Sequence, residues 1–107
     1  MQLHDRVAVV TGGAKGIGYA LAEAFLAEGA RHVVVADLSP AAVDDAAFRL
    51  GERAHGFALD VSDASAVAGL VTAVEDAYGP IDLFVSNAGI GTGAGIETDE
   101  ATWEAGR

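Results

Sequence analysis

Near the N-terminus, Thr11-Gly12-Gly13-Ala14-Lys15-Gly16-Ile17-Gly18 combines small residues, backbone freedom and a single cation. Between a strand and a helix, such a turn lets a pyrophosphate approach the main chain, and the helix N-terminus adds N–H donors and a positive dipole end. Asp37 follows Gly18 by close to the ~20 residues that separate such a turn from the acid bonding an adenosine ribose. A glycine-rich segment alone is a weak signal, and its plain reading is a tight turn. The surrounding strand and helix patterns, together with Asp37, favour the phosphate reading.

Other chemistries find less support. With Cys 0 there is no disulfide framework, thiolate nucleophile or cysteine-based metal site. His4 belongs to the N-terminal arm, and His32 and His55 open the second and third strands, at the sheet end away from the turn. A metal site is therefore not expected. Ser86 has no histidine or acid placed to activate it and reads as strand interior. Tyr19 and Tyr78 read as packing residues, and Asp44, Asp45, Asp63, Asp76, Asp99 and Glu100 as helix-end or solvated charges. Lys+Arg 6 against Asp+Glu 16 gives a net charge of -10, which argues against a nucleic-acid or anionic-membrane partner because nothing neutralises a row of phosphates. No apolar run reaches the length of a membrane span. A cytoplasmic-type chain is the expectation.

The elements that must position these residues follow from periodicity. Arg6 to Thr11 holds an unbroken apolar run, as a doubly buried parallel strand does. From Ile17 to Glu28 the positions Ile17, Leu21, Ala24 and Phe25 recur at helical spacing, and Gly29 stands where a left-handed cap is wanted. His32 to Asp37 is a second strand, and Ser39-Pro40 caps a helix reaching about Leu50. Ala54 to Val61 reads as a third strand, after which Ser62 caps a helix from Asp63 to Tyr78 with Val67, Leu70, Val71, Val74 and Tyr78 in one stripe. Asp82 to Asn87 is a fourth strand, followed by glycine-rich Gly89 to Gly95 and a helix start at Thr98-Asp99-Glu100. Alternation of this kind predicts an α/β doubly wound parallel sheet in order 3-2-1-4. The third helix crosses to the face opposite the first two, and the crevice lies where the order reverses between strands 1 and 4.

These residues resemble the short-chain dehydrogenases/reductases. The family's Thr-Gly-x-x-x-Gly-Ile-Gly is matched by Thr11, Gly12, Gly16, Ile17 and Gly18, its Asn-Ala-Gly by Asn87, Ala88 and Gly89, and its Asp-Val at the end of strand 3 by Asp60 and Val61. The resemblance implies a Rossmann-type fold, NAD or NADP as cofactor, and an alcohol or ketone as small-molecule substrate. It places Asp60 at the adenine amino group and Val61 beside the ring, and family members are commonly homo-oligomers. Ser86 departs from the family, many of whose members carry a second Asn there. At the tip of strand 2, Asp37, with Leu38 beside it, would accept both ribose hydroxyls and repel a 2′-phosphate, which favours NAD. Lys15 reads equally as a solvated lysine and as a phosphate ligand, so NADP stays open.

The family's catalytic Tyr-x-x-x-Lys has no counterpart here, since Lys15 is the only lysine. The expectation is one partial dinucleotide-binding domain over residues 1–107, truncated after the fourth strand, inactive by itself and marginal as a monomer. Marginality would come from Leu83, Phe84 and Val85 on an unpaired edge, with only one helix covering its face of the sheet. Two other readings remain: a dinucleotide-binding module without chemistry, and a methyltransferase, whose S-adenosylmethionine sites place acids as Asp37 and Asp60 are placed. Ile17 within the glycine motif and Asn87-Ala88-Gly89 weigh against the last.

Overall fold

The computed structural model describes residues 3–87. Strands and helices alternate as β1 (Val7–Thr11), α1 (Gly16–Ala27), β2 (His32–Asp37), α2 (Pro40–Leu50), β3 (Ala54–Ala58), α3 (Ala64–Tyr78) and β4 (Leu83–Ser86). The strands form one parallel sheet in the order β3-β2-β1-β4, as the alternation predicts. Each central strand is buried on both faces: Val7 to Val10 and Val33 to Ala36 are wholly inaccessible. A fully buried valine contributes about 1.5–3 kcal/mol, so these two strands anchor the core.

Side-chain parity divides that core. Ala8, Val10, Val33, Val35, Leu83 and Val85 face α1 and α2, meeting Ala22, Phe25, Val43 and Ala46. Val7, Val9, Val34 and Ala36 face α3 through Leu70 and Val74. The third helix thus lies opposite the first two, as right-handed crossovers in this strand order require.

Several boundaries differ from expectation for local reasons. Arg6 is not in β1, because its N–H closes a turn onto the Leu3 carbonyl. β3 stops at Ala58, the partner of the last β2 residue Asp37, and beyond it only the Leu59 N–H still reaches the Asp37 carbonyl. Ser62 does not cap α3, since its hydroxyl is engaged by Asp60. The cap is Asp63, whose Oδ1 accepts from the Ser65 and Ala66 N–H groups. In α1 the buried stripe is Gly18, Ala22, Phe25 and Leu26, while Ile17 is 60% exposed and Ala24 is exposed. Small residues face the sheet there because the helix starts so close to it.

β4 runs Leu83–Ser86 and pairs with β1. Among the described residues it has no second partner and forms one edge of the sheet as expected, but its side chains are covered: Leu83 and Val85 are buried, and Phe84 is half-buried beside the α3 cluster. Gly29, at φ 94°, ends α1 as anticipated: its N–H bonds to the Leu26 carbonyl and that of Ala30 to the Phe25 carbonyl. Phe48 on α2 is 86% exposed, and nothing in the structure explains it.

Candidate functional site

The C-terminal ends of β1, β2 and β4 are level. Thr11 is in register with Ala36 on one side and Ser86 on the other, so the segments leaving these strands open onto one edge of the sheet. This is the point at which strand order reverses, where open α/β sheets bind ligands.

The glycine turn is pinned to that edge by its backbone. Gly12 and Gly13 donate to the Ala36 carbonyl at 2.6 and 3.3 Å. Gly16 takes φ 63°, a conformation that admits little else at low cost. Helix α1 then begins without a side-chain cap: Lys15 stands at the cap position, is exposed, and has no acceptor to offer. By contrast α2 is capped by Ser39, which accepts from Ala42 N–H, and α3 by Asp63.

Gly18 is the tightest point. A Cβ there would fall 2.1 Å from the Gly12 carbonyl oxygen and 2.8 Å from Asn87 Nδ2. The first turn of α1, the glycine turn and the end of β4 therefore converge with no room for a methyl group. Gly13, left outside the sequence motif, is also constrained, since its Cβ would meet the Val10 carbonyl and the Val35 side chain at 2.9 Å. The adjacent Gly12-Gly13 pair was the available signal, and only the packing against β2 reveals which contact Gly13 serves.

Thr11 and Asn87 join the two central strand ends. The buried Thr11 hydroxyl donates to the Val85 carbonyl at 3.4 Å and accepts from Asn87 N–H at 2.9 Å. Asp37, half-buried at the tip of β2, is oriented by two backbone donors: Ala14 N–H reaches Oδ2 at 3.3 Å and Leu38 N–H reaches Oδ1 at 2.9 Å. A carboxylate has about four acceptor positions, so these two bonds hold the group while leaving capacity for further donors. The exposed Leu38, at 67%, flanks it, and Ile17 presents a second apolar side chain from the first turn of α1.

Asp60 lies just beyond β3 and is exposed. Hydrogen bonds from the Ser62 hydroxyl at 2.7 Å and the Ser62 N–H at 2.9 Å hold its carboxyl below the usual carboxylate range. Val61 beside it is half-buried. Of the sequence-derived candidates, Thr11, Gly12, Lys15, Gly16, Ile17, Gly18, Asp37, Leu38 and Asn87 gather around the glycine turn and the strand ends beside it, with Asp60 and Val61 following β3. Ala88 and Gly89 lie outside the described residues. Among the described residues no group of three or more His, Asp or Glu is placed to hold a metal, and no helix is long and apolar enough to cross a membrane.

The sequence pattern marks Asp82 only as the start of a strand. Its Oδ2 accepts from Val7 N–H at 2.9 Å while Oδ1 meets Arg6 at 3.4 Å, at the sheet end away from the glycine turn. Nothing in the local pattern signals a carboxylate that serves a strand far away in sequence.

Comparison with known proteins is consistent with this geometry. A family model described as short chain dehydrogenase matches residues 6–106. Galactitol 2-dehydrogenase of Agrobacterium fabrum is 42% identical over 90 residues, covering 84% of this chain and 35% of that protein. Sorbitol dehydrogenase of Cereibacter sphaeroides is 41% identical over 90 residues, with the same coverage of 84% and 35%. Among solved structures, L-sorbose reductase from Gluconobacter frateurii, complexed with NADPH and L-sorbose, superposes with a TM-score of 0.77 at 37% identity, covering 86% of this chain and 37% of that one. The chain thus spans little more than a third of the length of these relatives.

Proposed function

The chain belongs to the short-chain dehydrogenase family, and from that premise we propose that residues 1–107 are a partial dinucleotide-binding domain that holds NAD in preference to NADP. One observation carries the reading: the crowded glycine turn at Gly18, ending in a helix start without a side-chain cap, lies beside a carboxylate at the tip of β2 that backbone donors hold in place. The pyrophosphate would rest on the turn from Gly12 to Gly18 and the start of α1. Asp37 would accept the adenosine ribose hydroxyls. Leu38, Asp60 and Val61 would flank the adenine, and Ile17, Asn87, Ala88 and Gly89 would stand toward the nicotinamide side. Thr11 contributes by joining the ends of β1 and β4.

Bound there, the dinucleotide supplies a hydride acceptor or donor. In the whole protein this would serve oxidation of an alcohol or reduction of a ketone, and the polyol and ketose names of the relatives support that substrate class. Within these 107 residues Lys15 is the only lysine and no Tyr-x-x-x-Lys occurs, so the chain by itself is proposed to bind without catalysing. A module that binds a dinucleotide without chemistry is the alternative. A Tyr-x-x-x-Lys pair in a continuing reading frame separates the two. Assembly into homo-oligomers in the cytoplasm accompanies the enzyme reading.

NADPH on the relative and Lys15 at the α1 cap are the counterweights to NAD. Two charges of opposite sign near one ribose leave the carboxylate dominant, because its orientation is set by two backbone bonds while the lysine is exposed. Calorimetric titration at low salt is expected to show NADH binding tighter than NADPH, with Asp37→Ala weakening NADH roughly tenfold, the loss of a charge-assisted hydrogen bond. Tighter NADPH binding by the unaltered chain would overturn the preference. No detectable binding of either would overturn the site.

A further inference from the structure

The sheet end away from the glycine turn carries a ring cluster that dinucleotide binding leaves unused. His32 opens β2 and His55 lies in β3, both on the α3 side shared by Val34, Ala36 and Phe57. Their Nδ1 and Nε2 atoms are 3.0 Å apart, hydrogen-bond distance. Tyr78, the last residue of α3, lies against both: its ring is stacked on His55 at 4.2 Å and 17°, and tilted against His32 at 4.6 Å and 37°. We propose that His32, His55 and Tyr78 form a proton-sensitive latch that fastens the C-terminal end of α3 to β2 and β3 and opens when both imidazoles are protonated.

The chemistry follows from the donor inventory. An N–H···N bond needs one donor nitrogen and one acceptor, a condition met when both rings are neutral or when one is an imidazolium. With both protonated, two donors and two positive charges face each other across the same gap, and no lone pair remains. The surroundings do not offset this. Arg31, before β2, donates to the Tyr78 carbonyl at 3.1 Å and sets a further positive charge beside His32, its one carboxylate neighbour among the described residues being the exposed Asp5 at 3.9 Å. Arg53, before β3, directs its guanidinium to the Ala30 and Leu26 carbonyls. Glu75 in the last turn of α3 accepts from Ile81 N–H, and Asp82 from Val7 N–H and Arg6. Among the described residues no carboxylate bonds to either ring.

Burial, and then Arg31, lower the His32 pKa, while burial, and then His32, lower that of His55. The unfolded chain therefore binds protons near the ordinary value of 6.5, where the folded pair still resists them. Stability from the latch is complete above that value and is lost as pH falls below it toward the folded values.

The test is a pH titration of the ¹⁵N-labelled 107-residue chain followed by long-range ¹H–¹⁵N imidazole spectra, with urea midpoints near pH 7.5 and 5.0 for the unaltered chain and His55→Phe. Phenylalanine keeps a ring against Tyr78 and titrates nothing. The expected result is coupled titration of His32 and His55, both steps below 6.5. The folding constant of the unaltered chain should also fall roughly tenfold further on acidification than that of His55→Phe, because only the unaltered chain carries the pair that resists protonation when folded. Independent titrations at the ordinary value, or an equal acid loss in both proteins, would overturn the latch. Should His55→Phe not fold, the spectra of the unaltered chain decide by the same criterion.

Discussion

Where β1, β2 and β4 end at Thr11, Asp37 and Ser86, the chain leaves through a glycine turn pinned by backbone bonds, and α1 starts behind it with no side-chain cap. Where the same strands begin, side chains close on the backbone. Asp82 takes the Val7 N–H, Arg31 takes the Tyr78 carbonyl, Arg53 takes two carbonyls at the end of α1, and His32 pairs with His55. The acceptors at the strand ends are oriented and keep capacity to spare, as Asp37 shows. At the strand starts, polar groups are matched within the chain. The difference separates the rim proposed to hold the dinucleotide from one that closes the fold, although both are rims of a single parallel sheet.

Perturbing each rim should therefore damage different properties. The largest effect is expected from Gly18→Val, because even a Cβ falls 2.1 Å from the Gly12 carbonyl oxygen. Dinucleotide affinity should drop at least a hundredfold by fluorescence titration, with a stability loss of about 3 kcal/mol by urea unfolding from overpacking. An unchanged affinity would break the assignment of the open rim. Asp82→Ala should cost about 2 kcal/mol by leaving the Val7 N–H without its acceptor, while the folded fraction binds dinucleotide as before. A parallel loss of affinity would show that the two rims are not separate. Arg6→Met should change stability by less than about 0.5 kcal/mol, since its ion pair to the half-buried Asp82 is long, at 3.4 Å, and the arginine side chain is 57% exposed. A cost comparable to Asp82→Ala would mean that the ion pair, and not the bond to Val7 N–H, secures the closed rim.

Much of this was legible from local pattern. The valine runs of β1 and β2 read as doubly buried strands because every position is apolar, and both are buried throughout their interior. Ser39-Pro40 and Gly29 marked a helix start and a helix end because capping depends on residues within one turn of each other. Reasoning of that kind failed where a nearby competitor intervened: Ser62 resembled a cap, but Asp60 engaged its hydroxyl and Asp63 took the role. It failed again at Ile17, whose helical spacing suggested burial although the helix meets the sheet through Gly18 and Ala22.

By itself the sequence determined the order of elements, the parallel sheet and the location of the glycine turn, Asp37 and Asn87, because these depend on hydrophobic period and on residues adjacent in the chain. Only the tertiary structure decided that Gly18 meets both Gly12 and Asn87, that Asp82 serves Val7, and that His32 and His55 share a hydrogen bond beneath Tyr78. Those partners are brought together by strand register and by the face to which each helix crosses. A pairing fixed by three-dimensional register leaves no local periodicity from which it could be read.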